Sequence, residues 1–583
     1  MKNKWVLFVL IFALAAFFRL YKLDSVPPGL HIDELPFGYN AYSILTTGKD
    51  EFGVKMPMVL RAYDDFRPAL LSYLIIPFIK LFGLNILSIR LPNVILSLIS
   101  IYALYELTYL FVLLASEKTK TKLLKEKAKY IALSTIFLFA ISPWNIYLSR
   151  IAIDTNVSFS LFLFGLLFLF KFLNSKLTKH LLFSLLFLFA TFFSYNGIKL
   201  FLPEFLIATF FVFYKPLTLK KINITLLISF IVIISMFYLL VNKNSNGLMR
   251  LNSINYVAQS RDYIQNTTSK RIVYDDQNKD IIGSIFDNRR LSWIPYLATN
   301  YFVNINPSWL YTDDGTHYTY RIPGVGLFNF FEISILVAGL FFIIKSIKTK
   351  FLVFIFLWIG VSIIPAALTT DAPNASRIYQ LLPPLLMIEG YGAYGILGWL
   401  GNLQNSQIKA LLYSSFCLVL LISILWLYHS YFTLLPYEKS STYNYGASSA
   451  MIYAKESAGK YKNIIVSRNG NLNFSYMYFL FFNKYNPGKY ISSGGTKSGG
   501  FLVDHKIEKY LFTNPGLVFK NVSQKFDTPL DYKTNKQTLY VVDASDLPVD
   551  ETAKRKYLDK FKTLRVFNLL NGDPAIYALT GKN

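Results

Sequence analysis

The sequence predicts an all-α polytopic membrane protein of about eleven spans, followed by a small α/β domain outside the membrane. Three observations carry this. The chain is 53% hydrophobic and only 16% charged over 583 residues, where a soluble protein carries roughly a quarter charged residues. Apolar runs near the ~20 residues of a membrane-crossing helix recur from Trp5 to Phe432. Beyond Phe432 the composition becomes that of a soluble domain.

The net charge of +25 is the first thing that could mislead, because basic chains often bind nucleic acid. Here the lysines cluster in short loops between apolar runs, at Glu117 to Lys129, Lys171 to Lys179, Lys215 to Lys221 and Lys345 to Lys350. That is the positive-inside pattern of membrane proteins, and it argues against a nucleic-acid partner. The single cysteine, Cys417, lies within an apolar run, so no disulfide forms within the chain and no cysteine-based metal site is expected.

Charge and parity order the elements. Lys2 and Lys4 hold the N-terminus in the cytoplasm. Ala13-Leu14-Ala15 resembles a signal cleavage site, but the apolar run continues to Phe18, so a retained first span over about 5–21 is expected. It delivers a first outer loop, 22–67, in which Asp24, Asp33, Glu34, Asp50, Glu51, Asp64 and Asp65 outnumber the basic residues. The stretch Ser116 to Lys129, with six lysines and two glutamates, belongs inside. An odd number of crossings must join the two, yet two apolar stretches lie between them. The shorter, 68–83, is interrupted by Pro68, Pro77 and Lys80 and reads as a surface or half-inserted helix. The second span is then 91–115. Spans near 130–148, 156–173, 180–195, 199–214 and 222–241 alternate sides, and a second large outer loop covers 242–325. Spans near 326–345, 351–369, 378–400 and 407–432 complete a membrane domain of residues 1–432.

Residues 433–583 are expected outside the cell membrane. Short β-rich runs at Asn463 to Ser467, Thr538 to Val542, Arg565 to Leu569 and Ala575 to Ala578 alternate with polar stretches such as Glu551 to Lys562, the pattern of an α/β domain.

Polar groups near a membrane core are costly and tend to face a cavity or a partner. Several gather at the outer ends of spans. Asp33 and Glu34 precede Pro36 and an amphipathic run to Leu45, where they either cap a helix or do chemistry; the two are compatible. Asp64, Asp65 and Arg67 open the 68–83 stretch as an interfacial ion pair or as ligands for an anionic headgroup. Arg150 and Asp154, four apart, would face each other on a helix. Asp371 and Arg377 join two spans, where Arg377 either snorkels or holds phosphate with its bidentate fork. Asn196 and Lys199 are weaker candidates, and Asp313 to His317 reads as an acidic turn.

The segments Pro28-Gly29-Leu30-His31-Ile32-Asp33-Glu34, Gly38 to Ser43, Thr47-Gly48-Lys49-Asp50-Glu51, Arg67-Pro68, Phe82 to Asn85, Arg90-Leu91-Pro92, Ile141 to Trp144, Ser149-Arg150, Asp154 and Leu382-Pro383-Pro384 together resemble one family. It is the protein O-mannosyltransferase-related branch of the GT-C membrane glycosyltransferases, which includes the bacterial lipid A aminoarabinose transferases. The resemblance covers about residues 1–400 and is specific for the superfamily rather than for a substrate. It implies a GT-C-like fold and a polyprenyl-phosphate sugar donor in the outer leaflet of the plasma membrane. It further implies an extracytoplasmic acceptor (glycan, lipid or protein) and inversion at the anomeric carbon. On this resemblance Asp33 is the general base, Glu34 orients it or the acceptor, and Arg67, Arg150 and Arg377 are candidate ligands of the donor phosphate. Tyr39, Asp65 and Asp154 fall at the substrate. The family's second proline after the cation is Ala69 here. The metal-binding Asp-x-Asp and tryptophan-rich motifs of related oligosaccharyltransferases are absent from the sequence, so neither metal nor other cofactor is expected. Transfer of a preassembled glycan and lipid-glycan flipping are the competing functions.

Overall fold

The computed structural model describes residues 2–63, 65–116, 121–213, 261–288, 291–312, 320–497, 503–514 and 536–582. The expected span at 222–241, Asp64 and the Asp313 to His317 turn lie outside these residues. The chain divides into two compact units. One contains Met1–Tyr21, Val94–Ser149 and Asp154–Tyr428; the other contains Lys22–Asn93, Arg150–Ile153 and His429–Asn583.

The first is a helical unit. Its apolar runs form the helices Lys2–Leu20, Lys122–Ala140, Asp154–Ser175, Thr178–Phe192, Ile198–Phe213, Glu332–Ser346, Thr349–Ala367 and Leu382–Gly401. Seven of these eight lie close to an expected span, and Lys122–Ala140 overlaps the expected 130–148 only in part. Among the described residues four helices are long and apolar enough to cross a membrane: Ile86–Ala115, Asp154–Ser175, Thr349–Ala367 and Ser406–Lys439. A fifth is added if the bent pair Lys122–Ala140 and Pro143–Ser149 counts as one. Helices such as Thr178–Phe192 and Glu332–Ser346, of 15 residues each, are shorter than the ~20 residues of an untilted span.

The run expected to be one helix over 130–148 is broken, with a 59° bend between its halves. Pro143 supplies no backbone N–H and disfavours helical geometry at Ser142, so a new helix starts at the proline.

The second unit begins with the helix Glu34–Thr47, which stops at Gly48. There a left-handed φ of 71° lets the Gly48 N–H close on the Ile44 carbonyl. Strands β1 (Val59–Ala62) and β2 (Asp65–Pro68) pair antiparallel with Leu60 opposite Arg67. The helix Leu70–Phe82 follows. At 13 residues it is about 20 Å long, shorter than the ~30 Å hydrocarbon core.

The C-terminal part is built on a six-stranded sheet. Its strands are β3 (Asn463–Ser467), β4 (His505–Ile507), β5 (Tyr510–Thr513), β6 (Thr538–Asp543), β7 (Phe561–Asn568) and β8 (Pro574–Gly581), in the order β4-β5-β3-β6-β8-β7. β3 runs parallel to both neighbours and the remaining pairs are antiparallel. Four of the six strands are those expected from the sequence; β4 and β5 are too short to show a period. Ile464, Val466, Leu539, Val541 and Ala578 are buried in the core.

Within this unit the helix Ser475–Phe482 packs on Glu34–Thr47. A Cβ at Gly38 would lie 2.7 Å from the Phe481 ring, and the Tyr478 hydroxyl donates to the Leu30 carbonyl at 2.7 Å.

Buried Glu51 ties the same two regions together. It accepts from Asn40 Nδ2 at 3.2 Å and from Thr496 Oγ1 at 2.8 Å, while its own N–H donates to Asn40 Oδ1 at 2.8 Å. Burial pushes its carboxyl from the usual 4.5 up to about 7, partly offset by those two side-chain hydrogen bonds. Because the folded value is the higher one, the stabilisation is complete below about pH 4.5. It is lost as pH rises through about 7, by about 3 kcal/mol at most. The unfolding temperature should therefore fall between pH 5 and 8, and the slope should flatten in Glu51→Gln. Equal slopes in both proteins would remove Glu51 as the cause.

Candidate functional site

The turn before the helix Glu34–Thr47 carries the candidate base. Asp33 occupies the position that normally caps the helix, yet its side chain makes no capping hydrogen bond. The capping alternative therefore fails for this residue. Its Oδ1 pairs instead with Arg67 Nη2, and its Oδ2 lies 3.4 Å from His31 Nδ1. That ring nitrogen also accepts the Asp33 backbone N–H at 3.2 Å. Arg67 Nε bonds Asp65 Oδ2 at 3.2 Å, so one guanidinium bridges two carboxylates. The β1–β2 hairpin presents Arg67 to the turn, and Tyr63 next to it donates its hydroxyl to the Ile32 carbonyl at 3.0 Å. Tyr63 is in turn covered by Phe474, their ring centroids 3.8 Å apart. The Asp33 and Arg67 side chains remain 21% and 12% exposed, enough for both to be reached from solvent.

Glu34 is placed differently. At 1% exposure, it accepts a bidentate pair from Arg90, Nε at 2.9 Å and Nη2 at 3.0 Å. The backbone N–H groups of His31 and Ala152 also donate to it, each at 2.9 Å. Four donors on a buried carboxylate leave no access for an acceptor molecule. Arg90 is matched as completely. Its remaining N–H groups reach the carbonyls of Leu23 at 3.1 Å, Pro27 at 3.0 Å and Gly29 at 2.6 Å, which uses all five guanidinium donors. A β-carbon at Gly29 would stand 3.0 Å from the Tyr443 carbonyl.

Arg150, Tyr39 and Asp154 are all buried. Arg150 was expected to face an outer cavity and to meet Asp154 one helical turn on. Residues 150–153 are not helical, because the helix Pro143–Ser149 has ended and the next begins at Asp154. Arg150 is fully buried, donates to the carbonyls of Lys22 at 3.1 Å and Val26 at 2.8 Å, and bonds the Tyr431 hydroxyl at 3.1 Å. Its guanidinium also lies over the Tyr431 and Phe432 rings, so it braces the 22–26 segment. Tyr39, expected at the substrate, is buried with its hydroxyl on the Tyr485 carbonyl at 3.1 Å; its place is in the core. Asp154 is buried at the first turn of its helix.

Arg377 belongs to the helical unit, where it pairs with Asp371, itself bonded by Asn374 Nδ2 at 2.8 Å. Lys199 Nζ bonds Asn196 Oδ1 at 2.8 Å.

The sequence reading passed over Arg90 and Arg19 as site-building residues. Arg19 is buried in the helical unit, where it bonds Ser97 Oγ at 2.9 Å, Asn145 Oδ1 at 3.1 Å and the carbonyls of Ala15, Phe139 and Ala140. The available signal was an arginine placed within an apolar run, which must find a partner. Among the described residues no group of three or more His, Cys, Asp or Glu side chains is arranged to hold a metal ion.

No protein-family profile matches the chain, and no curated protein does. Among solved structures the chain is similar to ArnT from Cupriavidus metallidurans in the apo state, at 11% identity and a TM-score of 0.49 over 99% of this chain and 98% of that one. ArnT from the same organism bound to undecaprenyl phosphate gives 10% identity and a TM-score of 0.47 over the same shares. The archaeal oligosaccharyltransferase AglB from Archaeoglobus fulgidus, in complex with an inhibitory peptide and a dolichol-phosphate, gives 12% identity and a TM-score of 0.44. There the alignment covers 82% of this chain and spans 63% of that one.

Proposed function

We propose that the chain is a multi-pass plasma-membrane glycosyltransferase that moves a sugar from a polyprenyl-phosphate donor to an extracytoplasmic acceptor. In this reading the N-terminus is cytoplasmic, the chain crosses the membrane about eleven times, and the first outer loop and C-terminal domain lie outside. One observation carries it. The Asp33 carboxylate is reachable and set beside a solvent-accessible arginine, on a turn locked by a buried Glu34–Arg90 pair. The motif resemblance across residues 1–400 supplies the reaction class.

Asp33 takes the proton from an acceptor hydroxyl as that oxygen attacks the anomeric carbon. The bond from that carbon to the phosphate oxygen breaks on the opposite face, which inverts the centre. The leaving polyprenyl phosphate gains charge as it departs, and a positioned guanidinium offsets it; Arg67 is the first candidate, with Arg377 to be compared in the same assay. Arg67→Ala is expected to raise the KM for donor about 10- to 100-fold, the worth of charge-assisted hydrogen bonds to one anion. Arg67→Lys should recover part of that loss, and an unchanged donor KM in the alanine variant would take Arg67 off the phosphate.

The direct test reconstitutes the protein in liposomes with polyprenyl-phosphate sugar carrying a radiolabelled sugar and a crude envelope extract as acceptor. Label is expected to leave the lipid and appear one sugar at a time on a water-soluble or lipid acceptor. Passage of intact labelled lipid across the bilayer, with no label transferred, would replace this reading by a flippase. Transfer of label only from a preassembled glycan would replace it by a ligase.

A further inference from the structure

We propose, on the reading of Asp33 as the base, that His31 is its positioning residue and shuts it when protonated. Transfer is then confined to the pH range in which the imidazole is neutral.

Two contacts meet at one ring nitrogen. His31 Nδ1 accepts the Asp33 backbone N–H at 3.2 Å, and Asp33 Oδ2 lies 3.4 Å from the same atom. A nitrogen that accepts an N–H carries no proton of its own, so the neutral ring holds its hydrogen on Nε2. The carboxylate oxygen then faces a lone pair, and 3.4 Å is well beyond the roughly 2.8 Å of a charge-assisted N–H···O bond. In this state the ring holds Asp33 by its backbone, at a position where the side chain makes no capping bond, and leaves the basicity of the carboxylate intact.

A proton taken from solvent by Nδ1 reverses both contacts. The nitrogen becomes a donor, the Asp33 N–H loses its acceptor, and Nδ1–H closes on Oδ2 over about half an ångström. A carboxylate held between an imidazolium and the Arg67 guanidinium is a poor base, because two neighbouring positive charges favour its ionised form. The side chains of His31 and Asp33 are 12% and 21% exposed, so protons from solvent reach them.

The other charges around His31 are already matched. Glu34 takes the His31 backbone N–H at 2.9 Å and is paired with Arg90, while Arg67 is bonded to Asp33 and Asp65. The Tyr443 ring meets the imidazole edge-on with centroids 5.9 Å apart, and the Tyr478 hydroxyl is spent on the Leu30 carbonyl. Among these groups histidine is the type whose charge changes between about pH 5 and 8. Glu51, elsewhere in the same unit, has its carboxyl pushed by burial up to about 7 and supplies the control.

The experiment uses the full-length protein in liposomes and has two arms. In the first, exchange of the imidazole C2 hydrogen, followed by mass spectrometry, gives the protonation midpoint of His31 in wild type and in Asp33→Asn. Loss of the carboxylate should lower that midpoint by about one pH unit. In the second, sugar transfer is followed from about pH 5 to 8, each profile scaled to its own plateau. The wild type should lose activity as pH falls through the His31 midpoint. In His31→Asn the amide oxygen can take the Asp33 N–H but no proton, so the loss should move about one unit or more to lower pH. Glu51→Gln should leave it in place. Three results would overturn the switch with the transferase reading intact: an unmoved His31 midpoint in Asp33→Asn, an unmoved acid limb in His31→Asn, or a limb that moves only in Glu51→Gln. If His31→Asn does not fold, the wild type decides, because an acid limb more than about one unit from the His31 midpoint excludes the switch. A wild type that transfers no sugar at any pH refutes the transferase reading and this role together.

Discussion

Asp33→Asn is expected to lower sugar transfer about 10³-fold, within the 10²–10⁴ that a positioned general base contributes, while the protein still inserts and folds. The amide keeps the size and the hydrogen-bonding outline of the carboxylate, so the turn at His31 and Ile32 retains its geometry. What it lacks is the ability to accept the acceptor's proton. The ion pair with Arg67 is lost as well, but Asp33 is 21% exposed, and partly exposed pairs are worth about 1 kcal/mol or less. The fall should therefore lie in kcat, with little change in unfolding temperature or in the KM for donor. Measured turnover in proteoliposomes, alongside thermal unfolding of the same preparation, separates the two effects. A fully active asparagine variant would remove Asp33 from the mechanism.

Arg90→Met should have the largest effect on stability, a loss of about 3–5 kcal/mol, the usual result of removing one partner of a buried ion pair. The arginine contributes to more than the pair. Without it Glu34 stays buried with only the His31 and Ala152 N–H groups, and the carbonyls of Leu23, Pro27 and Gly29 lose their donor. The turn that carries Asp33 then loosens, so surviving protein should also transfer poorly. Arg90→Lys cannot reproduce the fork and should recover little. Glu34→Gln combined with Arg90→Met removes the stranded charge, and it should melt higher than Arg90→Met alone. If Arg90→Met unfolds within a degree or two of wild type, the pair is not what holds the loop.

The two variants mark where the sequence was legible. The described apolar helices were, because a helix able to cross hydrocarbon needs a long apolar run, and such a run shows directly in the composition. The sheet of the C-terminal region was nearly as clear for β3, β6, β7 and β8, whose apolar residues are bounded by polar stretches. The break at Pro143 was written in the chain too, yet the continuous apolar character of 130–148 outweighed it in the reading.

The roles of individual polar residues were less accessible. Asp33, Glu34, Arg67 and Arg150 look equivalent in sequence, as charged residues at the ends of apolar runs. Folding separates them by burial and by partner. Asp33 and Arg67 stay reachable, Glu34 is covered and matched with Arg90 from 56 residues away, and Arg150 turns inward to carbonyls of the 22–26 segment. Tyr39 shows the same limit, since an aromatic on an amphipathic helix reads alike whether it faces substrate or core.

By itself, then, the sequence determined which segments are long apolar helices, four of the six strands of the sheet, and on which loop the candidate carboxylate Asp33 lies. These follow from hydrophobicity and charge summed over many neighbouring residues. Only the tertiary structure decided that Asp33 is open while Glu34 is sealed, and that Gly339 and Gly392 let their two helices meet backbone to backbone. Those outcomes depend on contacts between residues far apart in the chain, where one guanidinium sets whether a charge meets water or a partner.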